Sequence, residues 1–311
     1  MSSVQFPKSL STGDKIAIIS PAGKVTPIQL EKGLERIQSM GYEPILGKHL
    51  YTEYQHGYPY AGTEKQRIED INWALNDPEI SAIWTSRGGY GCQHLLDYLD
   101  LQGFKNEPKW YIGYSDNTAV QSYLLQQGFA SIHAQTIKTS NFGVSDDGYS
   151  LTFDLLSGKI EDFSLENHPL NKFGTANGQL VGGNLALVYA LLGTPYSFNF
   201  EDKILFIEEI GEKFYALDRM LMALEHAGVF KKIKGLIIGG ITLMDDEREN
   251  PAYEHAFDEF AFQLISERIA QYNFPTLFAF PNGHIYENLP LIIGANVELI
   301  VEDRPTLKYL L

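Results

Sequence analysis

One arrangement recurs through the first half of this chain and restricts its fold more than any other feature. A short apolar strand runs into a tight turn, and a helix follows with a recognisable opening signal. Lys15-Ile16-Ala17-Ile18-Ile19-Ser20 is such a strand, and Pro21-Ala22-Gly23 turns it. Thr26 then stands as an N-cap, with Pro27 at the first helical position and Gln29 completing a capping box. The helix is expected to reach about Met40 and to stop at Gly41. Thr63 with Gln66 repeats the box and opens a helix to about Asn76. Ser81 to Thr85 is the next strand, and Gly91 to Leu99 begins a helix. Trp110 to Tyr114 is a strand, Asp116 to Gln127 its helix with Gly128 as the stop, and Phe129 to His133 a strand again. Alternation of this kind predicts a mostly parallel sheet covered on both faces.

From about Asp146 to Thr175 the pattern weakens into a polar stretch with Gly and Asn, which reads as a linker. Strands are expected again at Gly178 to Gly182, Lys203 to Ile207, Leu236 to Gly239 and Ala295 to Val301. Helices are expected at Asn184 to Leu192, Ala216 to Ala227 and Glu254 to Tyr272. A chain of 311 residues exceeds what one core usually serves. The expectation is therefore a two-domain α/β protein. Residues 1–150 form a mostly parallel sheet flanked by helices, 151–175 a linker, and 176–311 an α/β domain with a mixed or barrel-like sheet.

Composition removes several function classes. No apolar run approaches the ~18 residues of a membrane span. The first ten residues lack the basic-then-apolar pattern of a secretory signal. With Cys92 as the one cysteine, a disulfide framework is impossible. These points lead to the expectation of a cytoplasmic protein without a membrane partner. The net charge of −15 argues against nucleic acid, whose phosphates call for clustered Lys and Arg.

Four segments carry residues suited to chemistry. In Gly113-Tyr114-Ser115-Asp116-Asn117, a serine sits between a strand and a helix. On a tight turn its hydroxyl would be exposed, with the following N–H groups facing developing negative charge. The usual elbow has Gly two residues after Ser, where this chain has Asn117. The same serine would serve equally well as a helix N-cap. In Thr85-Ser86-Arg87-Gly88-Gly89-Tyr90-Gly91, three glycines follow a strand, and their N–H groups could form an anion nest or half an oxyanion hole. A plain glycine-rich turn fits that segment as well. Glu208 and Glu209 end an apolar strand, where a carboxylate can orient a histidine or simply be solvated. His284 follows Gly283 in a loop and could act as a general base.

Other residues enter as lesser candidates. His133, Asp116 and Arg87 lie near expected strand ends. Cys92 reads as a small buried hydrophobe, since no paired base is evident. Asp245, Asp246, Glu247 and Glu249 read as a solvated acidic loop, because no His or Cys at metal-ligand spacing accompanies them.

Taken as an ordered set, these segments resemble the LD-carboxypeptidase family, which includes muramoyltetrapeptide carboxypeptidases and the microcin C immunity carboxypeptidase. The resemblance runs from Gly13-Asp14-Lys15-Ile16 through Ala61-Gly62-Thr63 with Arg67, Arg87-Gly88-Gly89-Tyr90-Gly91 and Ile112-Gly113-Tyr114-Ser115-Asp116. It continues through Gly182-Gly183-Asn184-Leu185, Leu192-Gly193-Thr194-Pro195-Tyr196, Leu205-Phe206-Ile207-Glu208-Glu209, Leu217-Asp218-Arg219 and Gly283-His284. His133-Ala134-Gln135-Thr136 departs from the family's glycine- and proline-containing form.

The resemblance implies a Ser-Glu-His triad, with the nucleophile in the first domain and the acid and base in the second. Carried over, these are Ser115, Glu208 and His284, with Glu208 preferred to Glu209. Backbone N–H groups of Gly89 and Asp116 would be the oxyanion donors. An exo-cleaving enzyme must also fix a free carboxylate, for which Arg87 is a candidate and the glycine-loop N–H groups an alternative. No metal or organic cofactor is implied. The implied partner is a small peptide, a murein tetrapeptide that loses its terminal D-alanine in cell-wall recycling, and a homodimer remains open. Three other readings stand beside this one. They are a microcin-immunity-like carboxypeptidase acting on peptidyl-nucleotides, a non-catalytic peptide-binding protein, and an amidotransferase-like enzyme using Cys92.

Overall fold

The computed structural model describes residues 4–141, 145–242, 244 and 258–310. It divides into two compact units, one of residues 1–159 with Leu289–Leu291, the other of Ile160–Asn288 with Ile292–Leu311.

In the first unit the chain forms β1 (Lys15–Ile19), α1 (Pro27–Ser39), β2 (Glu43–Leu46), the hairpin β3 (Tyr54–Gln55) and β4 (Pro59–Tyr60), α2 (Glu64–Asn76) and β5 (Ile80–Thr85). A 3₁₀ segment (Cys92–Tyr98), α3 (Gln102–Asn106), β6 (Trp110–Gly113), a 3₁₀ turn (Ser115–Asn117), α4 (Thr118–Gln126), β7 (Ser131–His133) and α5 (Asp146–Leu156) follow. The sheet runs β7-β6-β5-β1-β2, with every one of these neighbours parallel. Its central strands are buried along their length, as a sheet covered on both faces requires.

The local signals behave as their chemistry demands. At the start of α1, the Gln29 side chain accepts the Thr26 N–H. At the start of α2, the Gln66 side chain accepts the Thr63 N–H, and Thr63 Oγ1 accepts the Gln66 N–H. Two expectations change. The helix expected from Gly91 to Leu99 is a 3₁₀ segment. The stretch read as the start of a linker is the helix α5, and the boundary between the units falls after Lys159. Ser145 caps α5 by accepting the Asp147 N–H, and Tyr149, Phe153 and Leu156 bury its inner face.

The second unit holds β8 (Phe163–Ser164), β9 (Gly174–Asn184), α6 (Leu185–Leu191), β10 (Lys203–Ile210), α7 (Phe214–His226), α8 (Val229–Lys232) and β11 (Gly235–Thr242). It continues with α9 (Glu259–Arg268), β12 (Thr276–Leu277), β13 (Leu291–Ile293, whose first residue belongs to the first unit), β14 (Asn296–Val301) and β15 (Thr306–Tyr309). Among the described residues its sheet runs β12-β11-β10-β9-β14-β15-β8. The pairs from β12 to β9 are parallel and those from β9 to β8 antiparallel. The sheet is therefore mixed and open, and the barrel-like option does not hold. The helix expected from Glu254 is described from Glu259, and the acidic residues Asp245 to Glu249 lie outside the described residues. No helix among the described residues is long and apolar enough to cross a membrane.

Candidate active site

In the first unit, chemistry gathers at the end of β6. Ser115 is half-buried and has φ 62°, a left-handed backbone that a serine rarely adopts. Such strain of order 1–3 kcal/mol persists only where the surroundings over-determine it. Those surroundings are visible. Asn117 Nδ2 donates to the Tyr114 carbonyl at 3.0 Å, and Asn117 Oδ1 accepts from the Tyr111 hydroxyl at 2.8 Å. Gln121 Nε2 donates to the carbonyls of Gly113 and Ile132. Asn117, in the place where the usual elbow has glycine, thus ties the turn internally. Neither the 3₁₀ turn nor α4 is closed by a side-chain cap, so the alternative of Ser115 as an N-cap finds no hydrogen bond to support it.

The glycine loop after β5 lies against this turn. A Cβ at Gly88 would sit 2.7 Å from Ser115 Cβ and 2.8 Å from its Oγ. No side chain fits between them, so Gly88→Ala must push the serine or the loop aside. Displacements near 1 Å at a reacting group cost on the order of 100-fold. We expect Gly88→Ala to lose turnover on that scale while remaining folded, as steady-state kinetics and circular dichroism would report.

The remaining candidates of this unit separate by environment. Arg87 is half-buried and donates through Nη1 to the Lys24 carbonyl at 3.1 Å. His133 is buried, with Nδ1 3.2 Å from Gln121 Oε1 and its ring edge-on to Tyr114. Burial pushes the Cys92 thiol well up, reinforced by the charge of Asp116, which is the reverse of an activated nucleophile. An aromatic group that the sequence reading overlooked also stands here. Tyr58, Tyr60, Tyr90 and His94 have ring centroids 5.1–6.0 Å apart. The run Tyr54-Gln55-His56-Gly57-Tyr58-Pro59-Tyr60 was its available signal.

In the second unit, the two glutamates at the end of β10 part company. Successive strand residues face opposite sides of a sheet. Glu208 is fully buried, and its Oε2 lies 2.8 Å from His284 Nδ1. Glu209 turns to the start of α6, where it accepts from Asn184 Nδ2, the Ala186 N–H and the Ile210 N–H. The β10–β11 register shifts between Ile207 and Glu209, so a bulge sits at Glu208. Gly283 has φ 124°, and a Cβ there would sit 3.1 Å from Glu208 Oε2. Glycine at that place allows the histidine loop to approach the carboxylate. Asn288 Nδ2 donates to the Gly283 carbonyl and Thr242 Oγ1 to the His284 carbonyl, which anchors the loop.

Burial pushes the Glu209 carboxyl up to about 7, with the neighbouring Glu208 charge adding to the rise. A carboxyl raised in the folded state contributes stability below its unfolded value and loses it as pH rises through the folded value. The window therefore runs from about 4.5 to about 7. Relative to Glu209→Gln, the wild type should lose Tm as pH rises from 5 to 8, measured by differential scanning calorimetry. A difference independent of pH would contradict the assignment.

Residues 16–134 match the LD-carboxypeptidase N-terminal domain, and residues 177–299 match the LD-carboxypeptidase C-terminal domain. The chain belongs to the LD-carboxypeptidase family. It is a serine-type carboxypeptidase. A Bacillus subtilis relative named "Probable murein peptide carboxypeptidase" is 31% identical, over 96% of this chain and 92% of its own. The muramoyltetrapeptide carboxypeptidase of Oxalobacter formigenes superposes with a TM-score of 0.80 at 26% identity, covering 95% of this chain and 98% of that one. The microcin C7 self immunity protein MccF, solved with glutamyl sulfamoyl guanosine, shares the fold with a TM-score of 0.82 at 21% identity, over 97% of this chain and 98% of its own.

Proposed function

We propose that this LD-carboxypeptidase removes the terminal D-alanine from murein tetrapeptides in cell-wall recycling in the cytoplasm, with Ser115, Glu208 and His284 as its triad. The observation that carries the assignment of roles is the 2.8 Å contact of His284 Nδ1 with buried Glu208. It fixes the imidazole by Nδ1, and the reading assigns proton transfer to Nε2. The strained Ser115 turn supports the choice of nucleophile.

In this mechanism His284 takes the proton of Ser115, and Oγ attacks the carbonyl of the penultimate residue. N–H groups of Gly89 and Asp116 receive the oxyanion, and His284 returns the proton to the departing amine of D-alanine. Water then enters by the same base and releases the shortened peptide. Arg87 or the loop N–H groups hold the substrate's free carboxylate. None of these steps calls on a metal or organic cofactor, and a homodimer is compatible with all of them.

Mass spectrometry of D-alanine release from lysine- and diaminopimelate-containing tetrapeptides tests the reading, with Ser115→Ala as control. Release by the wild type and none by the variant is expected. Turnover confined to a peptidyl-sulfamoyl nucleotide would overturn the murein assignment and favour the microcin-immunity activity. Tetrapeptide binding without turnover, and without labelling by a phosphonate, would leave a peptide-binding protein.

A further inference from the structure

A glycine-rich loop does not by itself fix where its N–H groups point, because glycine backbone is free to rotate. In the segment Arg87–Gly91 that direction is set from outside by side chains. Asp116 Oδ2 accepts the Cys92 N–H at 2.8 Å. Arg67 Nη1 donates to the Gly91 carbonyl at 2.8 Å and to the Pro21 carbonyl at 2.7 Å. The Tyr58 and Tyr90 rings meet edge-on, with centroids 5.9 Å apart.

Asp116 and Arg67 are 1% and 3% exposed, respectively. Burying ionised groups this deeply is costly unless their hydrogen bonds are made. Asp116 is also the residue that follows Ser115. Its backbone belongs to the nucleophile turn, while its side chain reaches the far end of the glycine loop.

We propose that Asp116 is a positioning residue, whose carboxylate locks the Gly91–Cys92 end of the glycine loop to the nucleophile turn and so holds the Gly89 N–H in register with Ser115. The proposal rests on Ser115 being the nucleophile. It assigns the side chain of Asp116 a task separate from that of its backbone N–H.

The lock depends on charge. Burial pushes the Asp116 carboxyl up to about 6, against the downward pull of its bonds from Cys92 and the charge of Arg67. The groups facing it are Cys92, Arg67, Tyr58, Tyr60 and Tyr111. Burial pushes the thiol and the three phenols up, so they stay neutral between pH 5 and 8, and Arg67 stays charged. Asp116 is thus the member of this set that changes charge in that range. Protonation converts one acceptor oxygen into a donor and weakens the hold on the Cys92 amide. Activity should therefore fall as pH drops through about 6.

Asp116→Asn keeps the shape and one acceptor oxygen but removes the charge. It should lower kcat by about 10- to 100-fold at pH 8, with KM changed less than about twofold. The acid limb of kcat/KM should lose one ionisation in the variant, that of Asp116 near pH 6. Hydrogen exchange gives a readout free of the serine chemistry. Corrected for intrinsic rates, protection of the Cys92 amide should fall between pH 8 and pH 5 in the wild type and be independent of pH in the variant. Wild-type kcat and an unchanged acid limb in Asp116→Asn would overturn the proposal, as would loop protection insensitive to both pH and substitution. Should Ser115→Ala keep its turnover, the nucleophile reading fails and the exchange result alone decides whether the lock exists.

Discussion

Ser115→Ala should reduce D-alanine release by about six orders of magnitude in kcat, to the level that binding and the oxyanion donors sustain alone. The folded state should not suffer. Ser115 holds a φ of 62°, and alanine at that angle is strained to a degree comparable with serine. The hydroxyl itself makes none of the bonds that brace the turn, which come from Asn117 and Gln121. Tm should therefore stay within a few degrees of wild type while activity vanishes. A parallel collapse of both would mean that the serine acts in structure and not in chemistry.

The second large effect belongs to Glu208. Glu208→Gln replaces an anion against His284 with a neutral amide of the same shape. The amide can present its NH2 to Nδ1 and so favour the wrong tautomer. In the proposed mechanism it would also withdraw the charge that stabilises the imidazolium formed when Ser115 is deprotonated. Loss of the orienting carboxylate in a triad costs about 10⁴ in kcat, less than loss of the nucleophile. Glu209→Gln should stay close to wild type in turnover at neutral pH, because Glu209 spends its oxygens on Asn184, Ala186 and Ile210. Comparison of the two variants under one assay separates adjacent residues that differ only in which face of β10 they leave. Near-normal activity in Glu208→Gln with loss in Glu209→Gln would reverse the roles.

What could be read from the sequence follows the range of the interactions. The capping boxes at Thr26 and Thr63 act over three residues, so the starts of α1 and α2 were legible. The helix α5 was not. Its opening Ser145-Asp146-Asp147-Gly148 looks like a polar connection, and only the burial of Tyr149, Phe153 and Leu156 against distant residues makes it a helix. The strand β9 begins four residues before the expected Gly178, because Gly174 to Asn177 pair with β14 through backbone bonds that ask little of side-chain polarity. Whether the second sheet closes into a barrel depends on its edges, β8 and β12, which are two residues each and leave no periodic signal.

The same distinction holds at the candidate site. Ser115 was legible as a residue between strand and helix, and its neighbours in sequence supplied the reason. The pairing of His284 with Glu208 spans 76 residues; the residues raised it as one option, and the family resemblance singled it out. The hold of Asp116 and Arg67 on the glycine loop spans 24 residues in each case and had no sequence signal of its own. Arg67 appeared in the sequence as one member of a matching segment, and its two carbonyl contacts explain why an arginine is buried there.

The most direct test of the central claim is to treat the protein with a serine-directed fluorophosphonate, locate the adduct by peptide mass spectrometry, and follow D-alanine release on the same sample. The account predicts one adduct per chain, on Ser115, with carboxypeptidase activity lost in proportion to labelling. An adduct on another residue, or a fully labelled protein that still releases D-alanine, would contradict it.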